Sequence, residues 1–225
     1  RRHTRYIGDW SSDVCSSDRS RLAGLNVPLA QLDTFDTDVR IRAGEITVEG
    51  EPAHGVILDV GLVNGALTVR DVTVADFAGA KGKLGGVATG FSGKPSGAGT
   101  VNIAGESAAA IARVLKVEVP GVELGRLGAF TFNANLDGDR DRLRVDIGSR
   151  IADSDLRIQG TLALGDRPAS DLVFQARNGN VANLFQVLGL GAGSRGRALA
   201  MALNGTATGP LEKLGVALTG TLAGA

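Results

Sequence analysis

Apolar and polar residues alternate with a period of two along most of the chain from Thr34 onward. The clearest runs lie at 56–62, 129–137, 143–147, 156–164 and 172–176. Successive side chains of a β-strand point to opposite faces of its sheet, so this alternation predicts strands with one apolar and one polar face. The pattern constrains the chain to a mainly β fold.

Turn-forming pairs separate the alternating runs. Asn64-Gly65 lies between two such runs and predicts a two-residue β-hairpin, and Asp137-Gly138 is interpreted as a second turn. Tight turns join neighbouring strands in antiparallel order. The sequence therefore predicts a long, antiparallel, twisted and curved open sheet with the form of a trough.

Two stretches, 107–116 and 180–188, have helical spacing instead, and Ser107 and Asn180 are suitable N-caps for them. Similar Val-Leu pairs in these two stretches lie 73 residues apart. We therefore expect two short α-helices within a region of roughly 70-residue β-repeats that spans 19–225.

Residues 3–18 resemble the conceptual translation of a short-read sequencing adapter, whose codons match Asp9 to Asp18 in order. We interpret 1–18 as adapter-derived and not native, the alternative being a genuine Ser-rich loop. Such segments are excluded from reasoning about the fold. The exclusion removes Cys15, the one cysteine of the chain, and leaves His54 as the one remaining histidine.

Composition excludes several classes of function. The 24 basic and 24 acidic side chains balance, whereas nucleic-acid binders and polybasic membrane-surface proteins carry a basic surplus. Aromatic residues make up 4% of the chain. The apolar strand faces are therefore aliphatic, which suits acyl chains better than sugars or bases, because those ligands stack on aromatic rings.

The predicted helices are too small to cover the predicted sheet. A dozen strands about 4.8 Å apart extend over about 55 Å, whereas a ten-residue helix is about 15 Å long. The apolar face must then close on itself as a sandwich or barrel, or remain an apolar groove for a ligand. The candidate lipid-contacting residues are Val56, Leu58, Val60, Phe130, Phe132, Leu136, Val145, Ile147, Leu156, Ile158, Leu162 and Phe174.

No residue pattern predicts an enzyme, a cofactor or a metal site. A zinc site or a Ser-His-Asp triad would depend on His54 alone, and no nucleophile-elbow sequence is present. The segment 137–141 mimics the start of a calcium-binding loop, but Arg142 and Gly148 occupy the positions that require Gly and Glu. We interpret that segment as a solvated hairpin turn.

The junctions at 101–115 and 172–190, the strand at 156–165 and the opening at 35–48 resemble the AsmA-like family. The likeness covers most of 30–222. It implies a periplasmic protein of Gram-negative bacteria that is anchored in the inner membrane, functions in outer-membrane biogenesis and carries phospholipid along an apolar β-groove. The implied anchor helix is not present in this chain.

Resemblance and surface balance together predict a non-enzymatic, lipid-contacting module. The expected partners are phospholipid or another acyl-chain lipid and membrane proteins of the envelope, and no nucleic acid is expected. The alternative is a structural β-scaffold or a protein-interaction module of the envelope with a closed, dry core.

Overall fold

The structure is a computed structural model that describes residues 3–10, 36–114, 127–164, 168–181, 199–210 and 213–224. The strands are β1 (His3–Trp10), β2 (Asp36–Val48), β3 (Glu51–Val63), β4 (Ala66–Phe77), β5 (Ala80–Thr89), β6 (Ser96–Gly105), β7 (Phe130–Asp139), β8 (Arg142–Ile151), β9 (Ser154–Ala163), β10 (Ala169–Asn178), β11 (Leu199–Pro210) and β12 (Gly215–Gly224). Helix α1 (Ala108–Val114) lies between β6 and β7.

All twelve strands belong to one sheet, in which each strand pairs with the next in sequence. The eleven strands β2 to β12 are antiparallel, and β1 pairs with β2 in parallel. No pairing between described strands joins β12 back to the start of the sheet. The predicted mainly β, antiparallel, open sheet is confirmed.

The described residues contain one short helix where two were predicted. The Oγ atom of Ser107 accepts a hydrogen bond from the backbone N–H of Ala110 at 3.3 Å, which confirms Ser107 as the N-cap of α1. From residue 182 onward, the second predicted helix (180–188) lies outside the described residues.

The hairpin predicted at Asn64-Gly65 is confirmed. These two residues connect β3 to β4 and have φ angles of 51° and 73°. Two consecutive positive φ angles match the right-handed twist of the strands that the turn joins, and Asn-Gly is the pair that adopts them most readily.

The turn predicted at Asp137-Gly138 is wrong, because both residues are paired inside β7. The chain reverses at Arg140 and Asp141 instead. One carboxylate oxygen of Asp139 accepts hydrogen bonds from the backbone N–H groups of Asp141 and Arg142, each at 2.8 Å. These two bonds close the turn and hold the pKa of the Asp139 carboxyl below its ordinary value. The interpretation of 137–141 as part of a hairpin is confirmed, whereas the predicted position of the turn within that segment is not.

The sheet separates its residues onto two unlike faces. We call the face with Leu58, Phe132 and Ile158 the apolar face, and the face with Asp59 and Asn133 the polar face. The buried apolar residues of the described chain are Ala53, Leu62, Ala80, Ala134, Val145, Val181 and Ala207. This set is small because most apolar side chains lie on one surface of a single layer.

Candidate functional site

The strand register brings all twelve candidate lipid-contacting residues to the apolar face. Residues that lie opposite each other in an antiparallel pair share a face. Leu136 lies opposite Val145, and Ile158 lies between Ile147 and Phe174. The set is Val56, Leu58, Val60, Phe130, Phe132, Leu136, Val145, Ile147, Leu156, Ile158, Leu162 and Phe174.

Four of these residues belong to one continuous row across the sheet, which we call the central row. It consists of Ile41, Leu58, Val72, Leu84, Val101, Ala134, Ile147, Ile158, Phe174, Gly205 and Leu218. The row takes one residue from each of eleven strands and includes no polar side chain. At about 4.8 Å between strands, it extends over about 48 Å.

A parallel row beside it, the second row, is also free of polar side chains. It consists of Val39, Val60, Val69, Gly86, Gly99, Leu136, Val145, Gly160, Leu172, Ala207 and Val216. Three candidate residues lie in it. The other five, Val56, Phe130, Phe132, Leu156 and Leu162, lie on the same face outside these two rows.

The apolar face is only partly shielded from solvent. Leu84 and Leu156 are 40% and 37% exposed, whereas Val145 is 5% exposed. Most other side chains of the two rows are half-buried against their neighbours. The described strands contact chiefly the strands with which they pair, so no second layer of described sheet covers this face.

Glycines, which lack side chains, leave low areas on the surface of the apolar face. Gly86 and Gly99 lie opposite each other in the second row, which leaves a low area between Val69 and Leu136. In the central row the ring of Phe174 lies directly over Gly205. An aromatic ring over a cross-strand glycine covers backbone that would otherwise be exposed.

Two buried polar side chains on the apolar face, Asn178 and Ser170, are hydrogen-bonded within the protein. The side-chain amide of Asn178 donates to the backbone oxygen of Ala152 at 3.2 Å and to the Ser154 hydroxyl at 2.8 Å. The Ser170 hydroxyl donates to the backbone oxygen of Ala207 at 3.0 Å. In the described residues no buried side-chain polar atom lacks a hydrogen-bond partner. The central and second rows therefore present hydrocarbon, and the two buried polar side chains of this face have their donors or acceptors paired.

The polar face carries an ion cluster at its β2–β4 end. Asp59 is 8% exposed and accepts hydrogen bonds from Nε of Arg40 at 2.8 Å and from Nε of Arg70 at 2.5 Å. Arg70 also donates to Asp38 at 2.5 Å. Burial raises the pKa of the Asp59 carboxyl, but the hydrogen bonds from Arg70 and Arg40 outweigh burial, and the pKa lies below its ordinary value.

The alternation of the sequence does not reveal this ion cluster. A β-bulge makes it possible, because Arg70 is an extra residue of β4 where the pairing with β3 shifts between Asp59 and Val60. The guanidinium of Arg70 lies over Gly61, which has no side chain to block it. A bulge leaves no periodic signal in a sequence. The charged residues at alternate positions of β2, Asp38, Arg40 and Arg42, are visible in it.

The polar face also contains surface depressions, one of which is lined by Asn133, Asn135, Asp146, Arg157, Gln175 and Arg177. Arg157 pairs there with Asp146 at 3.2 Å. Among the described residues, no group of three or more His, Cys, Asp or Glu is placed to hold a metal ion. His54 lies half-exposed, with Nδ1 3.4 Å from a carboxylate oxygen of Glu45. The feature that distinguishes the apolar face is the continuity of its central and second rows, not an enclosed cavity.

No protein-family model, no curated protein and no solved structure matches this chain. The resemblance to the AsmA-like family therefore remains a prediction from the residues that carry it. Within the described part of the chain, no helix has the length and hydropathy needed to cross a membrane.

Proposed function

We propose that this chain is a non-enzymatic module that holds acyl chains of lipid on the apolar face of its sheet. The central and second rows carry the proposal, because eleven strands contribute to each row and neither contains a polar side chain. Large exposed apolar surfaces of soluble proteins commonly serve as binding surfaces.

In this proposal the sheet curves into a trough, and an acyl chain lies along the rows, across the strands. Each methylene group that leaves water contributes about 0.8 kcal/mol. A row without polar groups offers similar contacts at every strand, so a bound chain could shift along it without breaking hydrogen bonds. Contact of this kind suits transport along the sheet better than capture at one position.

The resemblance to the AsmA-like family supplies the proposed setting. The module would lie in the periplasm of a Gram-negative bacterium, in a parent protein anchored in the inner membrane, and would serve outer-membrane biogenesis. Phospholipid is the proposed cargo, and the polar face remains available to membrane proteins of the envelope.

Two matched substitutions test this proposal. Leu84→Asp places a carboxylate in the central row, and Val87→Asp places one on the polar face of the same strand. The two native residues are 40% and 44% exposed, so the substitutions should have similar effects on folding. We expect Leu84→Asp to lower phospholipid binding at least tenfold and Val87→Asp to leave it within twofold of the unsubstituted chain.

Binding is measured by native mass spectrometry of the delipidated protein after incubation with dioleoylphosphatidylglycerol, and folding is checked by circular dichroism. Failure of the unsubstituted chain to retain the lipid would contradict the proposal. Equal losses of binding in the two folded variants would favour the alternative, a structural or protein-interaction scaffold.

A further inference from the structure

The polar face has a depression that the proposed function does not use. It crosses the strands β7 to β10, each of which pairs with a neighbour on both sides, and its volume is about 620 Å³. Ligand sites of proteins commonly measure about 300–1,000 Å³. We call it the polar depression, and its lining includes Asn133, Asn135, Asp146, Arg157, Gln175 and Arg177.

A glycine forms the floor of the polar depression. In the strand register, Gly148 lies between Asn133 and Arg157, and Gln175 follows on the next strand. A Cβ atom on Gly148 would lie 2.6 Å from Oδ1 of Asn133. The side-chain amide of Asn133 therefore lies over backbone, and longer polar side chains surround this low point.

The polar depression has one more arginine than it has carboxylates. Arg157 donates to Asp146 at 3.2 Å, and Arg150 donates to Asp155 at 2.6 Å. Arg177 lies opposite Asp155 in the register, but the carboxylate of Asp155 pairs with Arg150 instead. Among the described residues, no carboxylate forms an ion pair with Arg177. Its guanidinium is therefore available to an anion from outside the chain.

Carboxamide groups make up much of the remaining lining. Asn133, Asn135 and Gln175 are exposed, and no described group is hydrogen-bonded to their side-chain amides. Each carboxamide both donates and accepts, so these groups match the N–H and C=O groups of a peptide backbone. The lining has no aromatic side chain, on which nucleobases and sugar rings would stack. This chemistry favours a peptide over a nucleic acid or a glycan.

From these observations we infer that the polar depression binds an extended acidic segment of a partner protein. Arg177 pairs with a glutamate or aspartate carboxylate of that segment, in the bidentate geometry that a guanidinium allows. The carboxamides hold the backbone of the segment beside it. The inference goes beyond the proposed function and does not depend on it, because the apolar face lies on the other side of the sheet.

Binding of a short acidic peptide to the full chain tests this inference. The four strands of the depression cover about 14 Å, which an extended peptide spans in about five residues. The probe is an alternating glutamate–serine hexapeptide with an uncharged fluorophore, and fluorescence anisotropy measures its binding. We expect a Kd below about 1 mM at about 50 mM NaCl, and weaker binding at about 500 mM NaCl, because salt screens exposed charges. A glutamine–serine hexapeptide is the uncharged control and should not bind in this range.

Two arginine substitutions show whether the peptide binds in the polar depression. Arg177→Gln removes the available guanidinium, whereas Arg144→Gln removes one from the same face outside the depression, 3.9 Å from Asp137. Both arginines are exposed, so both variants should fold, and circular dichroism checks this. We expect Arg177→Gln to weaken binding about tenfold, because charge-assisted hydrogen bonds are the strong ones. Arg144→Gln should leave the affinity within about twofold, as exposed ion pairs contribute little.

Three results would overturn the inference. The first is that the glutamate–serine peptide does not bind, or binds no better than the glutamine–serine peptide. The second is an equal loss of affinity in the two variants, which indicates a general attraction to the charge of the face. The third is displacement of the probe by oligouridylate or inorganic pyrophosphate at lower concentrations than by the unlabelled peptide, because the depression would then select phosphate.

Discussion

At the scale of single residues, Asp59 joins three strands through its hydrogen bonds with Arg40 and Arg70. Its ionised form is the one that both arginines stabilise, as the lowered pKa of its carboxyl reflects. A carboxyl whose pKa is lower in the folded than in the unfolded chain stabilises the fold above the unfolded value, about 3.9. That contribution is lost as the pH falls through the folded value.

The first prediction concerns this pH dependence. Asp59→Asn should lower the urea midpoint of unfolding at pH 7. The difference from the unsubstituted chain should shrink as the pH falls below about 4, because the Asp59 carboxyl is protonated first in the unfolded chain and, at lower pH, in the folded chain. Asp171→Asn is the control, because Asp171 is exposed on the polar face without an ion-pair partner in the described chain. A difference of the same size at pH 7 and pH 3 would contradict the assignment.

The second prediction concerns the contact between Phe174 and Gly205. A Cβ atom on Gly205 would lie 2.7 Å from Cε2 of Phe174 and 2.8 Å from the backbone oxygen of Ala217. We expect Gly205→Ala to destabilise the fold by about 1–3 kcal/mol through overpacking. Gly82→Ala on the same face meets its nearest atom, the Asn102 oxygen, at 4.0 Å. It should change stability by less than about 1 kcal/mol. Chemical denaturation measures both, and equal effects would refute the difference in packing.

At the scale of elements, hairpin geometry explains which turns could be predicted from sequence. Asn64-Gly65 was predictable because the pair adopts two positive φ angles more easily than other residues. The prediction at Asp137-Gly138 failed because Asp139, two residues later, caps the turn with its carboxylate. Turn prediction from residue types detects the glycine but cannot identify which of several aspartates closes the turn with its carboxylate.

The backbone conformation of the β3–β4 hairpin turn can be tested by glycine substitution. Gly65 has a φ of 73°, whereas Gly44, inside β2, has no positive φ and no atom within 4 Å of its missing Cβ. Gly65→Ala should destabilise the fold by about 1–2 kcal/mol through backbone strain. Gly44→Ala should be neutral or slightly stabilising. If thermal unfolding showed Gly44→Ala to be the more harmful change, the turn geometry would be wrong.

At the scale of the whole molecule, period-two alternation predicted the single antiparallel sheet and placed all twelve candidate residues on one face. Alternation alone did not decide between the predicted open sheet and a closed sandwich or barrel, because it is compatible with all three. The rows across the strands were also beyond prediction, since they depend on the register of every pair. That register places Ile147 beside Ile158 rather than beside a polar neighbour.

The proposed function depends on acyl chains lying on the apolar face, and photo-crosslinking tests this directly. The probe is a phosphatidylglycerol with a diazirine near the end of one acyl chain, which is incubated with the folded protein, irradiated and mapped by peptide mass spectrometry. We expect adducts on apolar-face residues such as Ile147, Ile158 and Phe174, and competition by unlabelled dioleoylphosphatidylglycerol should reduce them. Adducts confined to polar-face residues such as Asn133 and Val173, or adducts that the competitor does not reduce, would contradict the proposal.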